Sequence, residues 1–373
     1  MHTRPVWMEI DIDNLAFNCR EVRKLVPQNV MLMGIVKDNA QGHGAARILR
    51  TMLENGINWF GVATLSEALQ LRKADRHVPI LILGYTPDYN AKEVIENDIS
   101  QTVYSYDQAY KFSAEAKKIG KQGKLHIKLD TGMHRIGMKI EDETISTIIN
   151  ISKLPNVFVE GIFTHFAVAD EDREYTCRQA EKFRYICDGL ENAGLEIPIK
   201  HVSNSAAIMR YPEYSFDMVR PGRILFGYCL ADEAEKNNIR LKKVMTLKTE
   251  VCHVKEINAG DGISYGLEYK AIKKSKIATL PIGYGDGFQG TGKIQILIKG
   301  HKVNVVGKIT MDMCMVDVTG LDVKTGDEVI ICAEDGVDFM TLDILMWASQ
   351  RISREYYKDG NIIHTDDYVL TLS

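Results

Sequence analysis

The chain has 373 residues, 45% of them hydrophobic, and its 46 Lys and Arg against 50 Asp and Glu give a formal net charge of −4. This length accommodates two domains with sizeable cores, and a nearly balanced charge without a basic run argues against nucleic acid as a partner. The seven cysteines include no CxxC pair, the N-terminus lacks an apolar signal core, and no stretch reaches the ~18 apolar residues of a membrane span, so we expect reduced thiols and a cytoplasmic chain without membrane contact.

Short apolar runs alternate with segments of helical spacing through the first part of the chain. Segments such as SEALQLRKA and TISTIINISK, with apolar residues three or four positions apart, separate these runs. An alternation of strand and helix that repeats eight times predicts an α/β fold, a (β/α)8 TIM barrel over residues 13–235. The eight runs are MLMGIV, NWFGV, ILILG, TVY, LHIKLD, VEGIFTH, IKHVS and MVRPGRILFG.

The character of the sequence changes after about residue 235. Runs such as KIATLPIG, IQILIKG and DEVIICA are short, rich in β-branched residues and separated by Gly, Asp and Asn. This pattern predicts an all-β C-terminal domain over residues 236–373. The opening WMEIDI is also strand-like, and we assign residues 1–12 to the β domain.

Polar residues stand at the ends of five predicted barrel strands. A lone lysine there is more often structural, but a barrel keeps its active site at the carboxyl ends of its strands, so matching polar residues at five ends indicate a site. No cluster with metal-ligand spacing accompanies them. The residues are Lys37, Asp130, Thr131, Arg135, His165, Asn204, Ser205, Arg220 and Gly222.

The types of these residues point to a cofactor. A desolvated lysine such as Lys37 is the amine that condenses with an aldehyde. Ser205, the backbone amides around Gly222 and an adjacent helix start form a plausible phosphate seat at the late strands. An aldehyde that carries a phosphate is pyridoxal 5'-phosphate, so the sequence favours this cofactor.

Eight motifs, in order along the chain, resemble those of one enzyme family. The chain is similar to the alanine racemases, pyridoxal-phosphate enzymes built from a TIM barrel and a β domain, and the likeness extends over nearly its whole length. The motifs are VKDNAQGHG (36–44), KLDTGMHRIG (128–137), GIFTHFAVADE (161–171), HVSNSAA (201–207), MVRPG (218–222), ISYGLEY (263–269), PIGYGDG (281–287) and VGKITMD (306–312).

The resemblance implies cofactor-binding roles for most of the polar residues. It makes Lys37 the lysine bound to the cofactor, His165 the histidine against the cofactor ring, and Arg220 the arginine that faces the pyridine nitrogen. Ser205, Gly222 and the amide of Arg223 match phosphate-binding positions. Further cofactor contacts are implied for Leu83 and Asn204.

Two more residues of the barrel gain roles from the resemblance. Arg135 matches an arginine near the cofactor's phenolic oxygen and the substrate carboxylate. Lys128 matches a lysine that is often carbamylated in the family, although an ordinary strand lysine is the alternative.

Racemisation requires two proton-transfer groups on opposite faces of the α-carbon. The resemblance makes Lys37 one of them and Tyr265 the other. A tyrosine with a reference pKa of ~10 is a poor base unless cations stabilise its phenolate, which the implied pair of His165 and Arg220 can supply. An arginine facing the pyridine nitrogen does not protonate it, and this disfavours side reactions.

The resemblance also implies a homodimer whose active sites are shared between subunits. Tyr265, Met311, Asp312 and Tyr284 of the β domain would reach the partner's barrel and contact the amino-acid substrate. For Tyr284, a place in the core of the β domain is an equally good interpretation. The implied product is D-alanine, a peptidoglycan precursor.

Four positions depart from the family pattern. Gln41 and, on alignment, Met346 stand where the family has phosphate-side tyrosines, with Ile344 as an alternative to Met346; Arg223 replaces a small aliphatic residue, and Gln289 lies where an arginine is common. These changes leave the cofactor chemistry intact, but they leave the identity of the amino-acid substrate undecided. We therefore expect alanine racemisation with relaxed specificity, the alternative being a racemase that prefers serine or a larger amino acid such as lysine.

Two other classes of protein compete with a racemase. A barrel decarboxylase that uses the same cofactor needs an acidic partner for the pyridine nitrogen, and Arg220 argues against it. A non-catalytic cofactor-binding protein fits a lone barrel better than a barrel joined to a β domain with Tyr265.

Overall fold

The computed structural model describes residues 4–229, 235–288, 294–332 and 351–366. The helical segments of these ranges are α1 (Ile12–Lys24), α2 (Lys37–Gln41), α3 (Ala45–Glu54), α4 (Leu65–Ala74), α5 (Ala91–Glu96), α6 (Tyr106–Ile119), α7 (Thr144–Ser152), α8 (Arg173–Asn192) and α9 (Ser205–Arg210). Short 3-10 turns lie at Asp88–Asn90, Pro212–Tyr214, Arg223–Phe226, Tyr265–Leu267 and Tyr284–Asp286. Within the same ranges, no helix has both the length and the apolar character that a bilayer crossing needs.

The strands form two groups along the chain. The first group contains the N-terminal strand of the β domain and the strands of the barrel, and the second group contains the remaining strands of the β domain. The first group is β1 (Val6–Asp11), β2 (Met31–Ile35), β3 (Trp59–Val62), β4 (Ile80–Ile82), β5 (Ser100–Val103), β6 (Gly123–Asp130), β7 (Met138–Lys139), β8 (Val157–Phe163), β9 (Ile199–His201) and β10 (Met218–Val219). The second group is β11 (Met245–Glu250), β12 (His253–Ile257), β13 (Gly262–Ile263), β14 (Tyr269–Lys270), β15 (Ser275–Leu280), β16 (Gln295–Ile298), β17 (His301–Asn304), β18 (Cys314–Asp317), β19 (Glu328–Cys332), β20 (Ser353–Lys358) and β21 (Asn361–Asp366).

Eight parallel strands form a nearly closed barrel in the order β10-β2-β3-β4-β5-β6-β8-β9. Backbone hydrogen bonds cross the remaining gap between β9 and β10, since the Asp217 amide donates to the Lys200 carbonyl at 3.0 Å and the Arg220 amide to the Ser203 carbonyl at 2.9 Å. The predicted TIM barrel is therefore confirmed. The strands read as continuous apolar runs because parallel strands in a barrel are buried on both faces.

Side-chain caps fix the starts of several barrel helices. In α4, Thr64 accepts from the Glu67 amide while the Glu67 side chain accepts from the Thr64 amide, a complete capping box. Ser105 caps α6 and Asp172 caps α8 in the same way, with the side chain accepting from an amide of the first turn. These caps fix where the helices begin. They therefore also fix the ends of the loops that connect each strand to the next helix.

The β domain contains a seven-stranded sheet in the order β17-β16-β19-β11-β1-β20-β21, with a three-stranded sheet β12-β15-β18 and the pair β13-β14. The N-terminal strand β1 lies between β11, which is antiparallel to it, and β20, which is parallel. The predicted all-β character of the C-terminal part is confirmed.

By its contacts the chain divides into two units, which we name the barrel unit and the β unit. The barrel unit consists of Leu15–Ala40 and Gly44–Leu241, and the β unit consists of Met1–Asn14, Gln41–His43 and Lys242–Ser373. The sequence pattern changes at about residue 235, whereas the β unit resumes at Lys242.

Two barrel strands end earlier than their apolar runs indicate. β2 ends at Ile35, so Lys37 does not close the strand but opens α2. The eighth run contributes only Met218–Val219 to β10, and its continuation folds into the 3-10 turn Arg223–Phe226. In both cases the apolar run continues past the end of the strand, because the turn that follows is itself buried on one side.

Candidate active site

Lys37 opens a turn of unusual backbone conformation. The next four residues, from Asp38 to Gln41, all have φ between 50° and 56°, in the left-handed region that costs non-glycine residues about 1–2 kcal/mol each. Glu67 accepts from the Asp38 amide at 2.6 Å, and the Asn39 side chain accepts from the Ala45 amide at 2.9 Å. Strain of this kind persists only where surrounding bonds hold it, and it is typical of functional sites.

Lys37 itself is exposed in this structure. The sequence interpretation of Lys37 as a desolvated amine is therefore wrong for the chain alone, because the residue lies on an exposed turn beyond the buried strand. Its charge nevertheless reaches the interior of the barrel mouth, where it acts on His165.

His165 lies at the centre of a cluster of cations. Burial lowers the pKa of His165 well below its usual value, and the charges of Arg220, Lys128, Arg135 and Lys37 lower it further. Lys37, Arg135 and Arg220 follow different strands and Lys128 lies in β6, so the fold has brought together side chains from separate parts of the barrel. The imidazole is neutral at pH 7.

Arg220 is buried and donates to groups on three sides. Its Nη2 donates to the carbonyls of Thr164 and Val202 at 2.7 and 2.9 Å and to His165 Nδ1 at 3.3 Å. Its Nη1 donates to the carbonyl and to Nδ1 of His201, both at 2.9 Å. Burial lowers the pKa of Arg220 to about 9, with a contribution from the charge of Arg135, so the guanidinium remains a cation at pH 7.

A chain of buried side chains continues from Arg220 across the barrel interior. His201 Nε2 lies 3.0 Å from His126 Nδ1, and His126 Nε2 lies 3.2 Å from Glu160 Oε2, which also accepts from Ser100 Oγ at 2.5 Å. We name His201, His126, Glu160 and Ser100 the histidine relay. Gly161 leaves the room that the relay needs, since a Cβ there would lie 2.3 Å from His126 Nδ1.

Arg220, which only donates, and the Glu160 carboxylate, which only accepts, fix the tautomers of the two histidines between them. Because Arg220 can only donate, His201 Nδ1 accepts, and its Nε2 carries the hydrogen that His126 Nδ1 accepts. His126 then donates from Nε2 to the Glu160 carboxylate. Burial lowers the pKa of both imidazoles, and the Glu160 charge opposes this effect at His126. The relay therefore joins a fixed cation to a fixed anion through neutral rings.

Lys128 is a buried amine next to this cluster. Its Nζ donates to the Leu129 carbonyl at 3.0 Å and lies 5.2 Å from the centre of the Phe163 ring. Burial lowers the pKa of Lys128 to about 7, and the charges of Arg220 and Arg135 contribute. A large share of Lys128 is thus the neutral, nucleophilic amine at neutral pH.

Asp130 and Thr131 serve the loop after β6. Asp130 Oδ1 accepts from the amides of Gly132 and His134 at 3.1 and 3.0 Å. Thr131 Oγ1 lies 2.8 Å from Thr164 Oγ1. These contacts shape the loop that leads to Arg135, which is exposed.

The residues of the predicted phosphate seat lie at the ends of β9 and β10. The Gly222 amide donates to Ser205 Oγ at 2.9 Å, and the Asn204 side chain caps α9 by accepting from the Ala207 amide. Arg223 is exposed at the start of the next 3-10 turn. The structure thus brings Ser205 and Gly222 into contact.

Two further positions that the sequence analysis named, Leu83 and Gln41, have other surroundings. Leu83 is partly buried and packs on the apolar cluster of the barrel that includes Met33 and Trp59. Gln41 ends the left-handed turn, and its Oε1 is buried without a hydrogen-bond partner in the part of the chain that the structure describes. Met346, the alternative Ile344, and Gln289 lie outside the described residues.

The β unit carries its predicted site residues on three exposed loops. Tyr265, Tyr284, Met311 and the Asp312 side chain are all exposed. The residue before Tyr265, Ser264, has φ 63° and ψ −171°, a conformation that is nearly restricted to glycine. Its hydroxyl donates to the Lys308 carbonyl at 2.6 Å. The interpretation of Tyr284 as a core residue is wrong, because its ring projects from the loop.

The sequence analysis missed the histidine relay. A signal was present, since His126 and Lys128 are two positions apart in LHIKLD and so share one face of a strand. Glu160, a lone acid in the apolar run VEGIF, is a second signal. What the sequence did not provide is the pairing of these residues across strands.

The positive charge at the barrel mouth favours an anionic ligand. The barrel mouth gathers Lys37, Lys128, Arg135 and Arg220. Within the described ranges no carboxylate forms an ion pair with Arg220 or Lys128, although the charge of Asp130 partly opposes the lowering of the Lys128 pKa. Uncompensated buried charge is costly, so a ligand that brings negative charge would stabilise this cluster. A phosphate and a carboxylate are the groups that such donors bind best.

Comparisons with known proteins agree with this fold. The alanine racemase N-terminal domain family matches residues 10–229, and the alanine racemase C-terminal domain family matches residues 244–359. An alanine racemase of Clostridium perfringens is 46% identical, with 98% of this chain and 99% of that protein covered.

Solved structures give the same result. The alanine racemase of Clostridium difficile 630 superposes with a TM-score of 0.95 at 40% identity, covering 99% of this chain and all of that one. The alanine racemase from Bacillus anthracis with bound L-Ala-P has a TM-score of 0.91 at 30% identity, and 99% of each chain is covered. The chain therefore belongs to the alanine racemase family, whose enzymes depend on pyridoxal phosphate.

Proposed function

We propose that this chain is a pyridoxal-phosphate-dependent racemase that interconverts L- and D-alanine. The observation that carries the proposal is the cationic cluster around His165 at the barrel mouth, in a chain that matches the alanine racemase family over both of its domains. The cofactor and the substrate each bring an anion, a phosphate and a carboxylate, to which this cluster is complementary.

The donor set fits the cofactor. Lys37 would bind the aldehyde, Ser205 with the amides of Gly222 and Arg223 would hold the phosphate, His165 would pack against the ring, and Arg220 would face the ring nitrogen. Leu83 and Asn204 would complete the walls. When bound, pyridoxal phosphate withdraws electrons from the α-carbon of an amino acid and so makes its hydrogen acidic.

Proton transfer falls to two residues of this chain. The Lys37 amine would take or return the α-hydrogen on one face, and the Tyr265 hydroxyl would do so on the other. Exchange of these roles between the two directions of the reaction gives the same product mixture from either enantiomer. Arg135, Met311, Asp312 and Tyr284 would surround the substrate and orient its carboxylate.

Arg220 favours racemisation over decarboxylation. The guanidinium stays protonated at pH 7 and donates to neighbours on three sides. It would not transfer a proton to a ring nitrogen beside it, because a guanidine is a much stronger base than a pyridine nitrogen. A cofactor held there would keep an unprotonated ring nitrogen and would be a weaker electron acceptor, which disfavours the decarboxylase alternative.

Lys128 would carry a carbamate. A neutral amine attacks CO2, and the low pKa of Lys128 supplies that form at neutral pH. The resulting anion would pair with Arg135 and compensate part of the positive charge of the cluster.

The active protein would be a homodimer, because the exposed loops that carry Tyr265, Tyr284 and Met311 would be covered by the barrel of a second copy. We further propose a cytoplasmic enzyme that supplies D-alanine as a peptidoglycan precursor.

The test uses the purified protein with pyridoxal phosphate and L-alanine in D2O. We expect D-alanine with deuterium at the α-carbon and no release of CO2. Release of CO2, or absence of D-alanine from protein that has bound the cofactor, would contradict the proposal. L-serine and L-lysine measured alongside decide the substrate alternative, since a higher kcat/KM for either would keep the racemase and replace alanine.

A further inference from the structure

Arg4 and the buried Asp286 form an ion pair that joins the N-terminal segment to two loops of the β unit. Arg4 Nη1 and Nη2 lie 2.5 and 2.8 Å from the two oxygens of Asp286, a bidentate arrangement, and the Asp286 side chain has 0% exposure. Nη2 also donates to the carbonyls of Pro281 and Asp312. A single guanidinium therefore contacts both the loop after β15 and the loop before β18.

These two loops are also joined through their backbones. The Tyr284 amide donates to the Thr310 carbonyl at 3.0 Å, and the Gly285 amide donates to the Met311 carbonyl at 2.9 Å. Gly283 makes this approach possible, because a Cβ there would lie 2.1 Å from the Thr310 carbonyl oxygen. Asp286 Oδ2 accepts from the Gly283 amide at 3.0 Å and so fixes the first loop at its base.

A second guanidinium orients the Asp312 side chain. Arg351 Nη2 donates to Asp312 Oδ1 at 2.7 Å, and its Nε lies 3.6 Å from Asp286 Oδ1. Asp286 thus stands between two arginines, one of which holds the Asp312 backbone while the other holds its carboxylate. Met311 and Tyr284 project into solvent from this framework.

We propose that Arg4, Asp286 and Arg351 are positioning residues that set substrate affinity by holding Tyr284, Met311 and Asp312 in one arrangement. This inference rests on the proposed function, in which these three residues contact the substrate. Arg4, Asp286 and Arg351 have no proposed role in proton transfer or in phosphate binding. Their network therefore acts on binding of the amino acid more than on proton transfer, and its loss raises KM more than it lowers kcat.

The test compares the wild type with Arg4→Lys, which keeps the charge but loses the planar fork that bridges Asp286, Pro281 and Asp312. The matched control is Lys299→Gln, which breaks an ion pair with Asp327 (2.8 Å) elsewhere in the β unit. We expect KM for L-alanine to rise about tenfold in Arg4→Lys with kcat within about twofold of wild type, and neither to change in Lys299→Gln. The second readout is hydrogen exchange of the Tyr284 and Gly285 amides, which we expect to be faster in Arg4→Lys only.

The outcomes separate the two proposals. Turnover with an unchanged KM, or a fall in kcat that matches or exceeds the rise in KM, overturns the positioning role, and so does unchanged exchange of the two amides. No turnover in the wild type refutes the proposed function, while amide exchange still reports on the network. If Arg4→Lys does not fold, Arg4→Gln combined with Asp286→Asn, which leaves no buried charge unpaired, is judged by the same criteria.

Discussion

The site residues of the barrel unit and those of the β unit differ in how completely their own unit surrounds them. Lys128 and Arg220 are each 3% exposed, whereas Tyr265 is 71%, Met311 53% and Tyr284 47% exposed. The hydrogen bonds of Arg220 on three sides fix its side chain within its own unit, so this part of the barrel half of the site is preorganised. An exposed aromatic platform instead gains its environment from whatever covers it, and we infer that a second copy of the chain does so.

The two regions share one feature, which is strained backbone beside the residue proposed to transfer a proton. Asp38 to Gln41 follow Lys37 with positive φ, and Ser264 precedes Tyr265 with φ 63° and ψ −171°. Neither segment is held by glycine at the strained positions. In both regions the local bonds, not intrinsic preference, fix the direction of the reactive side chain.

The largest expected effect is that of Lys37→Ala. The variant loses both the amine that holds the cofactor and one of the two proton-transfer groups, so kcat for racemisation should fall by at least about 10³-fold. The fold should be retained, because Lys37 is exposed. The measurement is D-alanine formation together with circular dichroism, and Lys139→Ala on the exposed end of β7 is the control. Near-normal turnover in Lys37→Ala would remove Lys37 from the mechanism.

Tyr265→Phe should have the next largest effect. Removal of the hydroxyl deletes the second proton-transfer group and should lower kcat by roughly 10²–10³-fold. Lys37 remains, so exchange of the α-hydrogen with D2O should persist for one enantiomer and fall for the other. Equal losses of exchange for L- and D-alanine would contradict a division of the two faces between Lys37 and Tyr265.

Glu160→Gln tests whether the histidine relay tunes the barrel half of the site. The change removes the anion that accepts from His126 and leaves the network otherwise similar in size. We expect kcat/KM to fall by about three- to tenfold. The lost charge-assisted hydrogen bond contributes ~1.5–3 kcal/mol, but it reaches Arg220 only indirectly, through the rings of His126 and His201. Glu115→Gln, which breaks a surface ion pair with Lys118, is the control. An effect no larger than that of the control would mean that the relay is structural only.

The smallest expected effect concerns Lys128 and pH. Since its pKa is lowered to about 7, Lys128 is mainly protonated below pH 7 and mainly a neutral amine above it. Only the neutral form takes up CO2, so carbamate should increase as pH rises from 6 to 8. The measurement is the carbamate resonance of protein equilibrated with 13C-labelled CO2, with Lys128→Met as the blank. Folded protein without this resonance at pH 8 would contradict carbamylation, and a resonance that decreases with pH would contradict the assigned pKa.

The barrel was predictable because its strands are continuous apolar runs separated by amphipathic helices, a pattern that survives in a single sequence. The β character of the C-terminal part was predictable for the same reason, from β-branched runs bounded by turn residues. The positions of Lys37 and Arg220 shortly after barrel strands also followed from this order, although Lys37 lies in the turn beyond β2 and does not close the strand. Resemblance, not pattern, supplied Tyr265, whose surroundings carry no distinctive signal of their own.

Other features of the site could not be predicted, because they depend on contacts between distant residues or oppose local preference. Ala40 and Gln41 have no tendency toward a left-handed turn, and only the bonds around them impose it. The histidine relay joins β5, β6, β8 and β9, whose register a single sequence does not contain. Arg4 lies far in sequence from Asp286, so their ion pair required the structure.

In the proposed dimer, Lys37 of one subunit and Tyr265 of the other complete each active site, and mixed dimers reveal whether they do so. Lys37→Ala and Tyr265→Ala subunits, each inactive alone, are unfolded together, refolded and separated by affinity tags so that hybrid dimers are isolated. Each hybrid should contain one intact site and one doubly altered site, so the activity should recover to about half of that of the wild-type dimer. Isolated hybrids that bind the cofactor and remain inactive would show that Tyr265 serves its own chain, and would contradict the account.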